Sequence, residues 1–204
     1  MTVRLDVSPD AAALSDQERW HAGRFAFPRD RRRYVVARTR LRELLGARLG
    51  VPAESVELAY GPHGKPALGG RFARSDLRFN TSHCEDIASY AFAYGQEVGI
   101  DIERVRVMSD ADDLASRFFS DAERADYREL EPSGRSLGFF NCWTRKEAFI
   151  KALGDGLNHP LHRFDVTLVP GEPARLLRVA GWSMMSFSPA SGFVGAVVIE
   201  GRPS

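Results

Sequence analysis

The sequence predicts an α+β protein made of two similar lobes, with a ligand cleft where the lobes meet. Both halves of the chain mix helical periodicity with short β-rich segments. Short motifs also recur at a nearly constant offset, which indicates an internal duplication into an N-terminal lobe at 1–104 and a C-terminal lobe at 105–204. A cleft between two lobes is a usual place for a ligand. Ser15-Asp16-x-Glu18-Arg19 returns 105 positions later as Ser120-Asp121-x-Glu123-Arg124, and Glu43, Leu49 and Gly50 return 104 positions later as Glu147, Leu153 and Gly154.

The composition indicates a globular protein of a reducing compartment. Of the 204 residues 44% are hydrophobic and 27% charged, and the formal net charge of +1 gives no general attraction to nucleic acid or membranes. The two cysteines, Cys84 and Cys142, do not form a CxxC pattern. The first residues lack a signal-peptide apolar segment, and no apolar run reaches membrane-spanning length. We therefore expect a cytoplasmic protein.

In the first half, capping and turn residues divide the chain into short elements. Ser15 and Glu18 have the spacing of a capping box, and Gly50 and Pro52 follow a long amphipathic segment as helix stops. Gly95-Gln96-Glu97 has the composition of a hairpin turn. These signals predict a strand at 3–7, helices at 16–22 and 31–49, strands at 55–58 and 77–80, and a hairpin of 87–94 with 98–103.

The second half is organised around one predicted helix with Phe139 near its start, ended by Gly154 and Gly156. Glu147 lies on its packing face, although an unpaired carboxylate must be neutralised, paired or metal-bound when buried. Lys151 follows one turn later, so an ordinary helical salt bridge is the simple alternative. Strands are expected at 164–169, 174–179, 182–187 and 192–199. The helical face recurs at spacings of three and four residues: Phe140, Trp143, Glu147, Ile150 and Gly154.

Asp101 and Glu103 alternate with apolar residues on a predicted strand, so the two carboxylates share one face. Their Cα atoms would lie roughly 7 Å apart, close enough to converge on one hard cation such as Mg²⁺. Glu147 from the other lobe would supply a third oxygen ligand. A solvated strand face is the alternative interpretation.

Other polar residues suit a phosphate-rich ligand, although each has a structural alternative. Gly61-Pro62-His63-Gly64-Lys65-Pro66 offers flexible backbone and a cation, but it lacks the Walker spacing and can be a simple turn. Ser82 and His83 follow a predicted strand, where a structural histidine is common. Several arginines lie at the start of the long helix, where the free backbone amides and the helix dipole attract anions. The alternative is that these arginines form a solvated face. The residues alone thus predict Mg²⁺-dependent chemistry on a phosphate-rich ligand. The arginines are Arg29, Arg31, Arg32 and Arg33.

Four motifs in one order resemble the 4′-phosphopantetheinyl transferases of the surfactin-synthetase (Sfp) type. They cover residues 61–157 and are individually modest but specific in combination. The resemblance implies a monomer of two α+β lobes that transfers the phosphopantetheine arm of coenzyme A to a serine of an apo acyl, polyketide or peptidyl carrier protein, releasing 3′,5′-ADP. The motifs are Gly61-x-x-Gly64-Lys65-Pro66, Phe79-Asn80-x-Ser82-His83, Gly99-Ile100-Asp101-Ile102-Glu103 and Trp143-Thr144-x-Lys146-Glu147-Ala148-x-x-Lys151.

The resemblance also implies roles for individual residues. Glu147 would be the base for the carrier serine, and Lys151 would stabilise charge on the leaving group. Lys146 would assist in binding the pyrophosphate. The family's first helix carries lysines, whereas this chain has Arg19, His21 and Arg24, which we leave outside the site. By resemblance Asp101, Glu103 and Glu147 hold Mg²⁺, Arg33, Ser82 and His83 bind coenzyme A phosphates, and Lys65 and Pro66 line the nucleotide pocket.

Two other functions fit parts of the pattern. A Mg²⁺-dependent nuclease or phosphodiesterase would use the same carboxylates, but it predicts a basic groove that the near-neutral composition does not favour. A catalytically inactive relative that only binds carrier proteins would be expected to have lost a carboxylate or Lys151, and none is missing.

Overall fold

Two helices of 22 residues, α2 (Pro28–Leu49) and α5 (Pro132–Leu153), are the longest elements described. Each begins with a proline in its first turn, where an N–H would have no intrahelical partner. Each ends at a left-handed glycine, Gly50 with φ 68° and Gly154 with φ 82°, a conformation that glycine adopts without strain. Both helices begin earlier than predicted because the prolines are their first helical residues.

The structure, a computed structural model, describes residues 1–62, 64–154 and 159–201. His63 of the predicted loop and Gly156 of the predicted helix stop lie outside the described residues. Within them, no helix has the length and apolar character that crossing a membrane requires. Besides α2 and α5, the elements are β1 (Thr2–Arg4), α1 (Asp16–Ala22), β2 (Leu58–Tyr60), β3 (Pro66–Leu68), β4 (Leu77–Cys84), β5 (Ile87–Tyr94), β6 (Val98–Arg104), α3 (Ala111–Phe118), α4 (Asp121–Glu129), β7 (Asp165–Val166), β8 (Leu176–Leu177), β9 (Trp182–Phe187) and β10 (Phe193–Glu200). The predicted α+β class is confirmed.

Both predicted capping boxes are present, and they open the short helices α1 and α4. The Ser15 hydroxyl accepts from the Glu18 amide at 3.3 Å, while the Ser15 amide donates to the Glu18 carboxylate at 2.9 Å. Ser120 and Glu123 repeat the pair at 3.2 and 2.8 Å. Each serine thus satisfies an amide that the helix itself leaves unpaired.

A buried cation connects each capping box to the long helix that follows it. Arg42 of α2 lies 2.6 Å from the Glu18 carboxylate, and Lys146 of α5 lies 2.8 Å from that of Glu123. Each cation also donates to two carbonyls, one within the 3₁₀ turn that follows its helix and one just after that turn. The acceptors are Ala53 and Val56 for Arg42, and Leu161 and Phe164 for Lys146. The two halves therefore share one buried arrangement at equivalent positions.

Two three-stranded antiparallel sheets lie beside the helices, in the strand orders β1-β5-β4 and β6-β10-β9. The predicted hairpin of 87–94 with 98–103 is wrong, because β5 pairs with β4 and β6 pairs with β10. The tight hairpin instead joins Cys84 to Ile87, with Glu85 at a positive φ of 51°. The turn residues at 95–97 thus redirect the chain into the other sheet.

The remaining strands differ from prediction mainly in length. Strand β4 continues to Cys84, four residues beyond the predicted end, while β7 and β8 contain two residues each. The predicted strand at 55–58 is replaced by a 3₁₀ turn, Ala53–Ser55, and by β2. The division of the chain at residue 104 stays a prediction, although β6 pairs with a strand of the second half.

The two sheets meet at β4 and β6, where side chains make the connection. The Asn80 side-chain oxygen accepts from the Ile100 amide at 3.0 Å, and the Ser82 hydroxyl accepts from the Ile102 amide at 3.2 Å. The two contacts follow the same order along both strands, so β4 and β6 run parallel. Ser82 is thereby fixed beside Asp101 of β6.

Helix α5 lies directly on β6, and the approach requires glycine. A β-carbon on Gly99 would lie 2.0 Å from the Ala148 carbonyl oxygen and 2.4 Å from the Ala152 amide nitrogen, both backbone atoms. Only a residue without a side chain fits there. The close crossing brings Asp101 of β6 towards the face of α5 that carries Glu147 and Lys151.

Candidate active site

A cleft of about 1680 Å³ opens between α2, β4, β6 and α5. Its lining includes nine of the ten residues that the sequence predicts for the site, so motifs that are far apart in the chain meet in one place. The exception is Lys146. The nine are Arg33, Lys65, Pro66, Ser82, His83, Asp101, Glu103, Glu147 and Lys151.

Asp101 is the buried centre of the polar site, with 5% of its surface exposed. Its Oδ1 accepts a hydrogen bond from the Ser82 hydroxyl at 2.9 Å and from the Lys151 ammonium at 2.6 Å. Its Oδ2 is buried and has no hydrogen-bond partner among the described residues. A buried carboxylate oxygen without a donor is costly, so Oδ2 is suited to a cation.

Glu147 has a strongly perturbed carboxyl group. Burial raises its pKa to about 7, and the neighbouring charge of Asp101 adds to the increase while Lys151 opposes it. Its Oε1 is likewise buried without a hydrogen-bond partner in the described part of the chain. Glu147 therefore titrates near neutral pH, where a general base is most effective.

Glu103 is the outermost of the three carboxylates, the other two being Asp101 and Glu147. Burial and the charge of Asp101 raise its pKa, and Arg106 opposes the increase from 3.5 Å away. The Cys84 thiol donates to the same carboxylate at 3.6 Å, and burial raises the pKa of that thiol to about 11. Cys84 is therefore a protonated neighbour and not a reactive thiolate.

The carboxylates suit a hard cation but do not form a closed metal cage. Within the described ranges, no group of three His, Cys, Asp or Glu side chains is placed to hold a metal ion by itself. Mg²⁺ commonly binds one or two carboxylates and takes water and substrate phosphate as its other ligands. The two buried, unpartnered oxygens of Asp101 and Glu147 fit such an open site.

Three cationic or titratable side chains surround this centre. Arg33 lies 2.9 Å from Asp86, and Lys65 donates at 3.0 Å both to Glu97 and to the Ala152 carbonyl. His83 is solvent-accessible within the cleft, where desolvation and the positive charges of Lys151 and Arg33 lower its pKa. A neutral imidazole beside fixed cations can bind a phosphate by donating one hydrogen bond.

Lys146 points away from the cleft, unlike the predicted phosphate contact. It is 1% exposed, and its ammonium contacts the Glu123 carboxylate and the carbonyls of Leu161 and Phe164 at 2.6–2.8 Å. The reason is helical phase, since Lys146 lies on the same face as the buried residues Cys142 and Phe149. We therefore leave Lys146 out of the site.

An aromatic wall in the first half of the cleft includes His21, which we left outside the predicted site, and two rings that none of the four motifs contains. His21 and Phe25 pack against Tyr34 with ring-centroid distances of 4.9 and 5.3 Å, and all three line the cleft. Arg38 lies one turn beyond Tyr34 and contacts the rings of Tyr34 and Tyr60. Helical periodicity along α2 places Tyr34 and Arg38 on one face, and that signal could have identified them.

Two family models match the chain, one in each half. The family model described as the 4′-phosphopantetheinyl transferase superfamily matches residues 97–190, and the model described as 4′-phosphopantetheinyl transferase, N-terminal, matches residues 5–94. The structure also resembles holo-[acyl-carrier-protein] synthase of Thermotoga maritima, at 26% identity and a TM-score of 0.39 over 52% of this chain and 64% of that chain.

Two curated relatives match most of the chain. The 4′-phosphopantetheinyl transferase HetI of Nostoc is 42% identical over 94% of this chain and 80% of its own length. The 4′-phosphopantetheinyl transferase Sfp of Bacillus subtilis is 30% identical over 76% of this chain and 66% of its own length, so the match does not single out the Sfp type. With both halves matched by family models and HetI matched almost throughout, the chain belongs to the 4′-phosphopantetheinyl transferase family and is a transferase.

Proposed function

We propose that this enzyme transfers the 4′-phosphopantetheine group of coenzyme A to a serine hydroxyl of an apo carrier protein. The serine oxygen bonds to the phosphorus that carries the pantetheine arm, and the bond from that phosphorus to the bridging oxygen breaks. 3′,5′-ADP leaves with the electron pair, and the serine proton passes to the base. The observation that carries the proposal is the group of carboxylates beside Lys151 in one cleft.

Glu147 is the proposed base. Its pKa of about 7 leaves a substantial fraction ionised at neutral pH, while the carboxylate remains basic enough to accept the serine proton. Its position one turn before Lys151 on α5 places the base and a cation on the same side of the cleft.

Positive charge around the carboxylates binds and stabilises the phosphates. Lys151 is the proposed stabiliser of the leaving group, since it is partly exposed and faces the cleft. Arg33, Lys65 and His83 line the same cleft and would contact the remaining phosphates and the nucleotide. Ser82 holds Asp101 in place through its hydroxyl, with Pro66 forming part of the wall.

Asp101, Glu103 and Glu147 are the proposed ligands of Mg²⁺. A bound divalent ion would neutralise charge on the pyrophosphate as the bond to the leaving group breaks. The buried, unpartnered oxygens of Asp101 and Glu147 support this choice, because both are hard ligands.

We further propose an enzyme of the Sfp type that acts as a cytoplasmic monomer on acyl, polyketide or peptidyl carriers. Matches to both an N-terminal and a superfamily model within one chain support the two-lobed type. A cleft formed by elements of both halves supports a site that is complete in one chain.

The direct test is to incubate the protein with coenzyme A, Mg²⁺ and an apo carrier protein and to weigh the carrier. We expect a mass increase of one phosphopantetheine group and release of 3′,5′-ADP, both suppressed by EDTA. A carrier of unchanged mass, tested across acyl, polyketide and peptidyl types, would support the inactive relative. Hydrolysis of a phosphodiester substrate without carrier modification would support the nuclease.

A further inference from the structure

The ammonium of Lys151 lies where it neutralises the central carboxylate of the site. It is 2.6 Å from Asp101 Oδ1 and 3.4 Å from the Ser82 hydroxyl. Oδ1 also accepts from Ser82, so this oxygen already has two donors. The charge that would attract a divalent ion to Asp101 is therefore partly cancelled by a side chain of the protein.

The two partners of this ion pair differ in freedom. Asp101 is 5% exposed and is fixed on β6, whose neighbours are β4 and β10. The Lys151 side chain is 30% exposed and extends from the last turn of α5 on a flexible four-carbon stem. When the pair separates, Lys151 is the residue that moves.

Resting on the proposed function, we propose that Lys151 competes with the divalent ion for Asp101 and keeps it weakly bound until coenzyme A enters. The pyrophosphate, with two negative charges in the same cleft, offers the ammonium a stronger partner and draws it away from Oδ1. Coenzyme A and the metal then bind with positive coupling, since each favours the state in which Lys151 has left Asp101. This role is additional to stabilising the leaving group.

The competition predicts that removing a catalytic lysine strengthens metal binding. We would titrate Mn²⁺ into the protein without coenzyme A and follow free Mn²⁺ by electron paramagnetic resonance. Lys151→Met should bind Mn²⁺ at least about tenfold more tightly than wild type, because a unit positive charge at contact distance is gone. Lys151→Gln, which preserves polarity, serves as a second variant and should shift in the same direction.

Lys65→Met is the matched control for a general loss of positive charge. Lys65 lines the same cleft, but its ammonium pairs with Glu97 and the Ala152 carbonyl. It should change Mn²⁺ affinity much less than Lys151→Met. An equal increase in Mn²⁺ affinity in the two variants would show that any positive charge in the cleft weakens metal binding, and it would overturn the proposal.

Adding coenzyme A tests whether Lys151 competes with the metal ion for Asp101. In wild type, coenzyme A should tighten Mn²⁺ binding strongly, whereas in Lys151→Met most of that increase should be absent because no ammonium has to leave. Unchanged or weaker Mn²⁺ binding in both Lys151 variants would overturn the proposal. The proposed function is tested separately, by the mass of the carrier protein and not by Mn²⁺ affinity. It would be overturned if the wild-type protein modified no carrier.

Discussion

Gly99 of β6 and Ala148 of α5 approach so closely that a β-carbon at Gly99 would lie 2.0 Å from the Ala148 carbonyl oxygen. The obstacle is helix backbone, which cannot turn aside as a side chain can. Because Asp101 follows Gly99 by two residues and Glu147 precedes Ala148 by one, this contact sets the separation of the two proposed ligands. The geometry of the site therefore depends on a residue that has no side chain.

The first prediction concerns this crossing. Gly99→Ala should destabilise the protein by at least about 1–3 kcal/mol, because the strand must move away from the helix. Gly134→Ala in α5 is the matched control, since its β-carbon would meet only Pro170 at 3.8 Å. That change should be neutral or stabilising by up to about 1 kcal/mol. Urea unfolding measures both, and equal stabilities would contradict the close crossing.

The sequence predicts local features such as helix caps well, but it predicts poorly which strands pair with each other. Both capping boxes are confirmed, because their hydrogen bonds span only three residues and depend on few others. The turn at 95–97 is also predicted, but its composition does not specify which strand β6 pairs with. The Asn80 and Ser82 side chains of β4 accept hydrogen bonds from the Ile100 and Ile102 amides of β6. They therefore occupy the edge of β6 with which β5 was expected to pair.

The site was predicted by motif order, and its one exception has a physical reason. Nine predicted residues share the cleft because the motifs fall on elements that the fold brings together. The resemblance implies a pyrophosphate contact for Lys146, but it does not indicate which face of the helix this side chain occupies. Its partner Glu123 is 23 positions away, and a pattern read along one helix does not indicate such a partner.

The second prediction concerns Asp101. Asp101→Ala should lower transfer by at least roughly 10²–10³-fold while changing stability little. The fold tolerates the change because Lys151 can turn to solvent and Ser82 keeps its bond to the Ile102 amide. Carrier mass and thermal unfolding check the two effects.

Glu85→Gln is the control for Asp101→Ala. Glu85 lines the same cleft, but its partner at 2.9 Å is the exposed Arg104. Removing this carboxylate charge should leave transfer close to that of wild type. Substantial transfer by Asp101→Ala, or an equal loss in Glu85→Gln, would remove Asp101 from its proposed role.

The third prediction uses the titration of Glu147. Its pKa is about 7 in the folded protein against 4.5 for the ordinary group, so the folded state holds the proton more tightly. A raised pKa contributes stability below pH 4.5 that is lost as the pH rises through about 7. Relative to Glu147→Gln, which stays neutral, wild type should lose about 3 kcal/mol of unfolding free energy across that window.

Urea unfolding of the two proteins at several pH values in EDTA measures this difference. Glu147→Gln should be the more stable protein at pH 8 and should lose its advantage towards pH 4.5, although its turnover should be strongly reduced. A stability difference that does not vary with pH would mean that Glu147 is not buried beside Asp101.

The fourth prediction compares the two buried cations. Arg42 is 3% exposed and pairs with Glu18, while Lys146 is 1% exposed and pairs with Glu123. Lys146→Met leaves the buried Glu123 carboxylate without its cation and two carbonyls without a donor, and it should destabilise the protein by about 3–5 kcal/mol. Arg42→Met should cost less, because Glu18 keeps a second cation, Arg38, at 3.5 Å.

Lys146→Arg should recover part of the stability that Lys146→Met loses. At the equivalent position in α2, the guanidinium of Arg42 likewise binds a buried carboxylate and a backbone carbonyl. Coenzyme A affinity, measured by calorimetry well below the unfolding temperature, should stay close to wild type in both methionine variants. That result would assign Lys146 to the support of α5, one residue before the proposed base. If instead Lys146→Met unfolds like wild type but binds coenzyme A weakly, its ammonium reaches the phosphates and the buried position described here is wrong.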